Sequence, residues 1–181
     1  VEAYRMVTGE DWRLTSLPFP RAPVAAVAGD RFHFGPADTY EFRVYTAAGR
    51  LERVIRLRGE RRRVTEADIA RFRTERLERS EREGTRGRME RMLSEMPYPE
   101  TMPPYADLEL DATGNVWVAD YRASPDEESL WRVFSPEGDY LGVFAMPDGV
   151  QPLQIGSDFL LGRHVDELDV ESIHLYRLVR P

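Results

Sequence analysis

The sequence predicts an all-β fold of the β-propeller type, made of short four-stranded blades with a helical insertion between two of them. Three observations carry this expectation: a strand motif that recurs, the period of 42 residues at which it recurs, and an excess of 47 residues in one interval. The motif is an apolar residue, a polar or basic one, an aliphatic one and an aromatic one. It occurs as Phe42-Arg43-Val44-Tyr45, Trp131-Arg132-Val133-Phe134 and Ile173-His174-Leu175-Tyr176. Val133 and Leu175 are 42 residues apart, whereas Val44 and Val133 are 89 apart, which places the extra residues close to 58–104. Several short strands per repeat at such a period are the spacing of stacked blades.

The elements follow in order. "AYRMVTGEDWRLTSLP" at the start reads as the last two strands of an earlier blade. "VAAVA", "DRFHFG" and "EFRVY", then a turn at Gly49 and a strand through Val54 and Ile55, make a complete blade. A second complete blade runs from "ADLELD" through "GNVWVA" and "LWRVF" to a turn at Gly138 and Val143-Phe144. In "DATGNVWVAD" the apolar run has no in-out alternation, as expected of a strand covered on both faces, and Gly114 supplies the positive φ of the preceding turn. "SDFLLG" and "HLYRLVRP" open a third blade that lacks an outer strand. In this alignment His33 takes the place of Trp117 and Leu160.

The stretch "DLELDATGNVWVADYR…WRVFSPEGDYLGVF" resembles an NHL repeat. The resemblance is close over 106–147 and looser over 24–57 and 151–177. It implies a blade of a bacterial six-bladed propeller, and hence a chain of about three blades, half of a ring. It also implies an extracytoplasmic location for some relatives, and roles ranging from RNA-binding modules, ligand sensors and scaffolds to lyases and lactonases. An open half-ring exposes a blade face and strand edges. The start in mid-blade and Val at position 1 favour a C-terminal half of a larger propeller over a half that completes itself as a homodimer. The whole chain, 1–181, reads as one partial propeller domain with the insertion inside it.

Composition sets limits on function. The chain of 181 residues is 41% apolar and 10% aromatic, enough for a packed core. Cysteine is absent, which excludes disulfides, thiolate chemistry and Cys-type zinc sites. No apolar run reaches the roughly 18–20 residues of a membrane-spanning helix, and the opening "VEAYRMVTGEDW" does not read as a signal peptide. Net charge is −7, unevenly spread: residues 50–91 carry +6 and the remainder −13.

The insertion predicts two helices. "TEADIARFRTERLERSERE" (65–83) has Thr65 as N-cap with Asp68 three residues on, an apolar stripe of Ile69, Phe72 and Leu77, and charge pairs Glu75–Arg79, Glu78–Arg82 and Arg79–Glu83 at i,i+4 spacing. Met89, Met92, Leu93 and Met96 mark a second helix, ended by Pro97 and Pro99. Arg61, Arg62, Arg63, Arg71 and Arg73 are the candidate binding residues for an acidic partner or nucleic acid. The competing reading, a solvated helix face laced with ion pairs, fits the interleaved Glu better, and stacking aromatics are wanting.

Candidates for chemistry are few. Asp107, Glu109 and Asp111 alternate with Leu108 and Leu110, and Glu109 aligns with Gln154, so these two are candidate channel residues for a divalent cation or an acid–base role. His33 reads as a satisfied core histidine, His174 as a polar residue between blades, and His164 with Asp166, Glu167 and Asp169 as a solvated acidic hairpin. No catalytic triad spacing or phosphate-cradling loop is present. The expectation is therefore a non-enzymatic binding or scaffolding module for a protein or small-molecule ligand, without a cofactor. The alternatives are a metal-dependent hydrolase or lyase and an RNA-binding module.

Overall fold

The computed structural model describes residues 3–8, 11–59, 61–166 and 168–179, with side chains from residue 16 onward. Among them are two helices and 13 strands in four antiparallel sheets, so the chain is mostly β. The first sheet is the hairpin β1 (Ala3–Thr8) and β2 (Asp11–Ser16). The second is β3 (Val24–Ala28), β4 (Arg31–Gly35), β5 (Glu41–Thr46) and β6 (Leu51–Arg56), each strand paired with the next. The third repeats this order with β7 (Tyr105–Leu110), β8 (Val116–Asp120), β9 (Ser129–Phe134) and β10 (Tyr140–Met146). The fourth has three strands, β11 (Val150–Ile155), β12 (Phe159–Val165) and β13 (Glu171–Arg177).

The sheets stack through two apolar cores. Phe42, Val44 and Ile55 of the second sheet meet Leu108, Val116, Val118 and Phe134 of the third. Phe42 and Phe134 pack edge to face at 5.4 Å, a favoured aromatic geometry. Trp117, Trp131 and Val133, on the other face of the third sheet, meet Ile155 and Leu160 of the fourth. Successive residues of β8 thus enter opposite cores, which is why "VWVA" is apolar throughout. The run is bounded by two carboxylates. Asp111 accepts from Thr113 N (2.8 Å), Asn115 N (3.0 Å), Asn115 Nδ2 (2.9 Å) and Trp117 Nε1 (3.0 Å), and so closes the turn at Gly114, φ +84. At the far end Asp120 is held by Arg132.

The face of the fourth sheet that continues the series is open. Phe42 and Trp131 are 0% and 4% exposed, whereas the matching Ile173 is 60% exposed. Leu160 departs from the sequence alignment. It faces the third sheet, opposite in sense to Trp117, and Leu161 takes the outward position across from Gln154 and Leu175. A shift of one residue reverses the face of a strand, and the adjacent Leu160 and Leu161 fit either register.

Residues 58–104 leave and rejoin the sheets through a two-chain stem. Val64 N donates to Glu100 O (3.0 Å) and Met102 N to Arg62 O (2.9 Å). Helix α1 (Glu66–Arg82) starts with the expected capping box: Asp68 N donates to Thr65 Oγ1, and Thr65 N to Asp68 Oδ2. Gly84 at φ +69 reverses the chain into α2 (Arg86–Glu95), which ends at Met96 before Pro97. Phe72 packs on Phe19 (5.5 Å) and Tyr98 (6.4 Å), which ties α1 to the segment leading into β3. The pairs Glu75–Arg79, Glu78–Arg82 and Arg79–Glu83 are not closed; Arg86 instead pairs with Glu81 (2.8 Å) and Glu90 (3.0 Å). Exposed pairs of this kind gain little over hydration, so their spacing does not compel contact.

Candidate functional site

A cleft of about 750 Å³ opens where the stem of the insertion meets the second and third sheets. Its wall is built from the ends of strands. Tyr40 comes from the loop before β5, Leu57 follows β6, Met102 and Pro103 lie on the returning stem, and Asp120 and Tyr121 end β8. Its apolar part includes the buried Met102 with Pro103 and Pro104 beside it, whose rings restrict φ.

The charges divide into a locked set and a free set. Arg132 clasps Asp120 through Nε (2.9 Å) and NH2 (2.9 Å), while Tyr40 donates its hydroxyl to the same carboxylate at 3.2 Å. Burial, then the Asp120 charge, pushes the Tyr40 hydroxyl far above its ordinary range, so it remains a donor. Arg62 grips Glu127 with two nitrogens at 2.7 and 2.8 Å and also reaches Asp68 at 3.2 Å. The Arg62 hydrogen bonds hold the Glu127 carboxyl below the usual range. Burial alone would raise Asp68, but the Thr65 hydroxyl and amide and the Arg62 and Arg71 charges outweigh it and leave the carboxyl lowered. Arg58 and Arg61, by contrast, line the cleft exposed and without a hydrogen-bond or ion-pair partner among the described residues.

The expected binding residues therefore part company. Arg62 and Arg71 bind Asp68, and Arg73 donates to Tyr98 Oη (3.1 Å) and Leu93 O (2.8 Å), joining α1 to α2. These three hold the insertion together. Arg63 is exposed but lies outside the cleft, and Arg61 alone of the five is both cleft-lining and unpaired. Arg58 was missed; its position in "RLRGERRR", next to the half-buried Leu57 that anchors the stem, was the available signal.

Glu109 and Gln154 are not brought together. Glu109 is half-buried on the face of β7 toward the fourth sheet, and burial, then Asp107, raises its carboxyl above the usual range. Gln154 is exposed on the outward face of β11. Among the described residues no group of three or more His, Asp or Glu is placed to hold a metal ion. His164 stacks on His174 at 5.0 Å, Asp166 accepts from Leu168 N (2.8 Å) and Val170 N (2.9 Å), and Glu167 lies outside the described residues. His174 faces the third sheet with Arg132-like polarity, bonded to Ser172 Oγ (2.9 Å) and Tyr176 Oη (3.2 Å). His33 is buried as expected but not satisfied, since its Nδ1 has no partner among the described residues.

Among the described residues no helix is long and apolar enough to cross a membrane. Compared with protein-family models and with curated proteins, the chain matches none.

Proposed function

We propose that the chain is a non-enzymatic binding module, part of an NHL-like propeller of about three blades, and that its cleft takes an extended acidic segment of a protein partner. The propeller reading is supported by four antiparallel sheets in chain order, the last three of them stacked face to face, with the first strands β3 and β7 side by side. The observation that carries the binding reading is the pair Arg58 and Arg61. Among the described residues they have no ion-pair partner, whereas Arg62 and Arg132 at the same cleft are neutralised by Glu127 and Asp120, and Arg122 reaches the backbone carbonyls of Pro125 and Glu127. Arginines committed to carboxylates within the fold have little to offer a ligand; uncommitted ones beside an apolar floor offer charge and a surface for main chain.

The test is a titration of a fluorescent ten-residue peptide of alternating Glu and Leu, followed by anisotropy, with a single-stranded oligonucleotide of the same charge in parallel. Saturable peptide binding that exceeds oligonucleotide binding supports the reading. Preference for the oligonucleotide would favour nucleic-acid recognition instead and sink the proposal.

A further inference from the structure

The stack of the second, third and fourth sheets ends, among the described residues, in two open faces. On the second sheet Val27, Phe32 and Tyr45 stand opposite one another across β3, β4 and β5. Their face is the one turned away from the third sheet, because the intervening Val44 enters the core between the two. Val27 is 69% and Phe32 37% exposed. Phe32 packs on Phe34 (6.2 Å) and Tyr45 (6.3 Å), and the three rings line an apolar hollow of about 410 Å³. On the fourth sheet Leu161 pairs with Leu175, which is 69% exposed, and Ile173 shares their outward face. Contiguous exposed apolar surface of this kind marks a contact.

We infer that a second copy of this chain covers these faces head to tail, the fourth sheet of one copy lying on the second sheet of the other. Each open face repeats one side of a contact that the chain already makes within itself. Val27, Phe32 and Tyr45 hold the register positions that Leu110, Val116 and Phe134 hold in the third sheet. Ile173 and Leu175 hold the positions of Phe42 and Val44 in the strand motif. Inside the chain those two sets meet in one core: Phe42 and Val44 of the second sheet pack with Val116, Phe134 and Leu110 of the third. The open faces are thus the two complementary sides of the same contact, carried at opposite ends of one stack.

The charges agree with this pairing. Across the internal contact Arg132 of the third sheet lies over the Tyr40 ring of the second, 5.7 Å from its centre. Arg43 holds the motif position of Arg132, and Glu171 that of Tyr40. Head-to-tail stacking therefore brings Arg43 of one copy to Glu171 of the other, opposite charges that both remain partly exposed. A contact between unlike faces is heterologous, and two copies satisfy both pairs of faces when the stack closes on itself. Both sides being present in one chain gives weight to the half that completes itself as a homodimer.

The experiment is light scattering after size exclusion on the whole chain and on two variants, Val27→Glu on the second sheet and Leu175→Glu on the fourth. Both side chains are exposed, and far-UV circular dichroism shows whether each variant keeps its strands. The parent is expected at twice the mass of one chain. Each variant alone is a monomer, its self-association weakened about hundredfold, because the contact would bury an unpaired carboxylate. Mixed in equal amounts, the two folded variants form a two-chain species, since one intact face of each kind survives in the mixture. A monomeric parent overturns the inference. So does a Val27→Glu chain that still pairs with itself, a mixture that does not pair, or association indifferent to both variants. Neither variant touches Arg58 or Arg61, so self-association and the acidic-segment cleft stand or fall separately.

Discussion

Replacing Asp111 by Ala removes the acceptor that organises the turn before β8. Two of its donors are in buried residues, Trp117 at 3% exposure and Asn115 at 8%, and they cannot turn to water when the carboxylate is gone. Each stranded donor costs about 1–3 kcal/mol, so the expected loss of unfolding free energy is about 4 kcal/mol. That is a large share of a typical stability of about 5–15 kcal/mol. Asp111→Asn is not a mild change here. Asn115 Nδ2 (2.9 Å) and Trp117 Nε1 (3.0 Å) both donate to Oδ2, and an amide nitrogen at that site would face two donors, at a cost of about 2–3 kcal/mol. Urea unfolding followed by tryptophan fluorescence measures both. A loss under about 1 kcal/mol for the Ala variant, or an Asn variant as stable as the parent, would refute the reasoning.

Gly35→Ala places a Cβ 2.4 Å from the Tyr105 hydroxyl and displaces it from Ala37 N and Glu41 O; thermal unfolding should show a loss of about 2–3 kcal/mol. Glu127 has a lowered folded pKa, so its stabilisation is present above the unfolded value of 4.5 and fades as pH falls through the folded one. Stability measured between about pH 5 and 2 should fall less steeply for Glu127→Gln than for the parent. His33 is also lowered, and the unfolded chain takes up the proton first, so stability declines as pH drops below 6.5. His33→Leu should flatten that slope and raise stability at pH 6 by about 1 kcal/mol, read from urea midpoints.

Local chemistry was legible in the sequence and distant partnerships were not. The Thr65–Asp68 capping box, the glycine turn at Gly114 and the helix end at Pro97 depend on residues within a few positions of one another, and each appears where its spacing places it. Phe42 and Val44 enter one core and Trp131 and Val133 the other, two residues apart in each case as strand period requires. Leu160 does not take the face of its alignment, because two adjacent leucines leave the face to the pairing of β11, whose register shifts between Pro152 and Gln154. Which arginines remain free for a ligand was beyond local reading. Arg62 is neutralised by Glu127, 65 residues away, and Arg132 meets Tyr40 across the interface between two sheets. The unpartnered His33 was hidden for the same reason, since sequence shows that a histidine is buried but not what it faces.

The most direct test of the acidic-segment cleft compares two double variants by calorimetric titration with the Glu–Leu peptide. Arg58→Ala with Arg61→Ala removes two cleft cations that have no partner among the described residues, while Arg76→Ala with Arg79→Ala changes net charge equally on α1, away from it. The cleft predicts about tenfold weaker binding for the first pair and parental binding for the second, with affinity falling as salt rises. Equal losses from both pairs would mean that the peptide senses overall charge alone, and the cleft would have no claim to be the site.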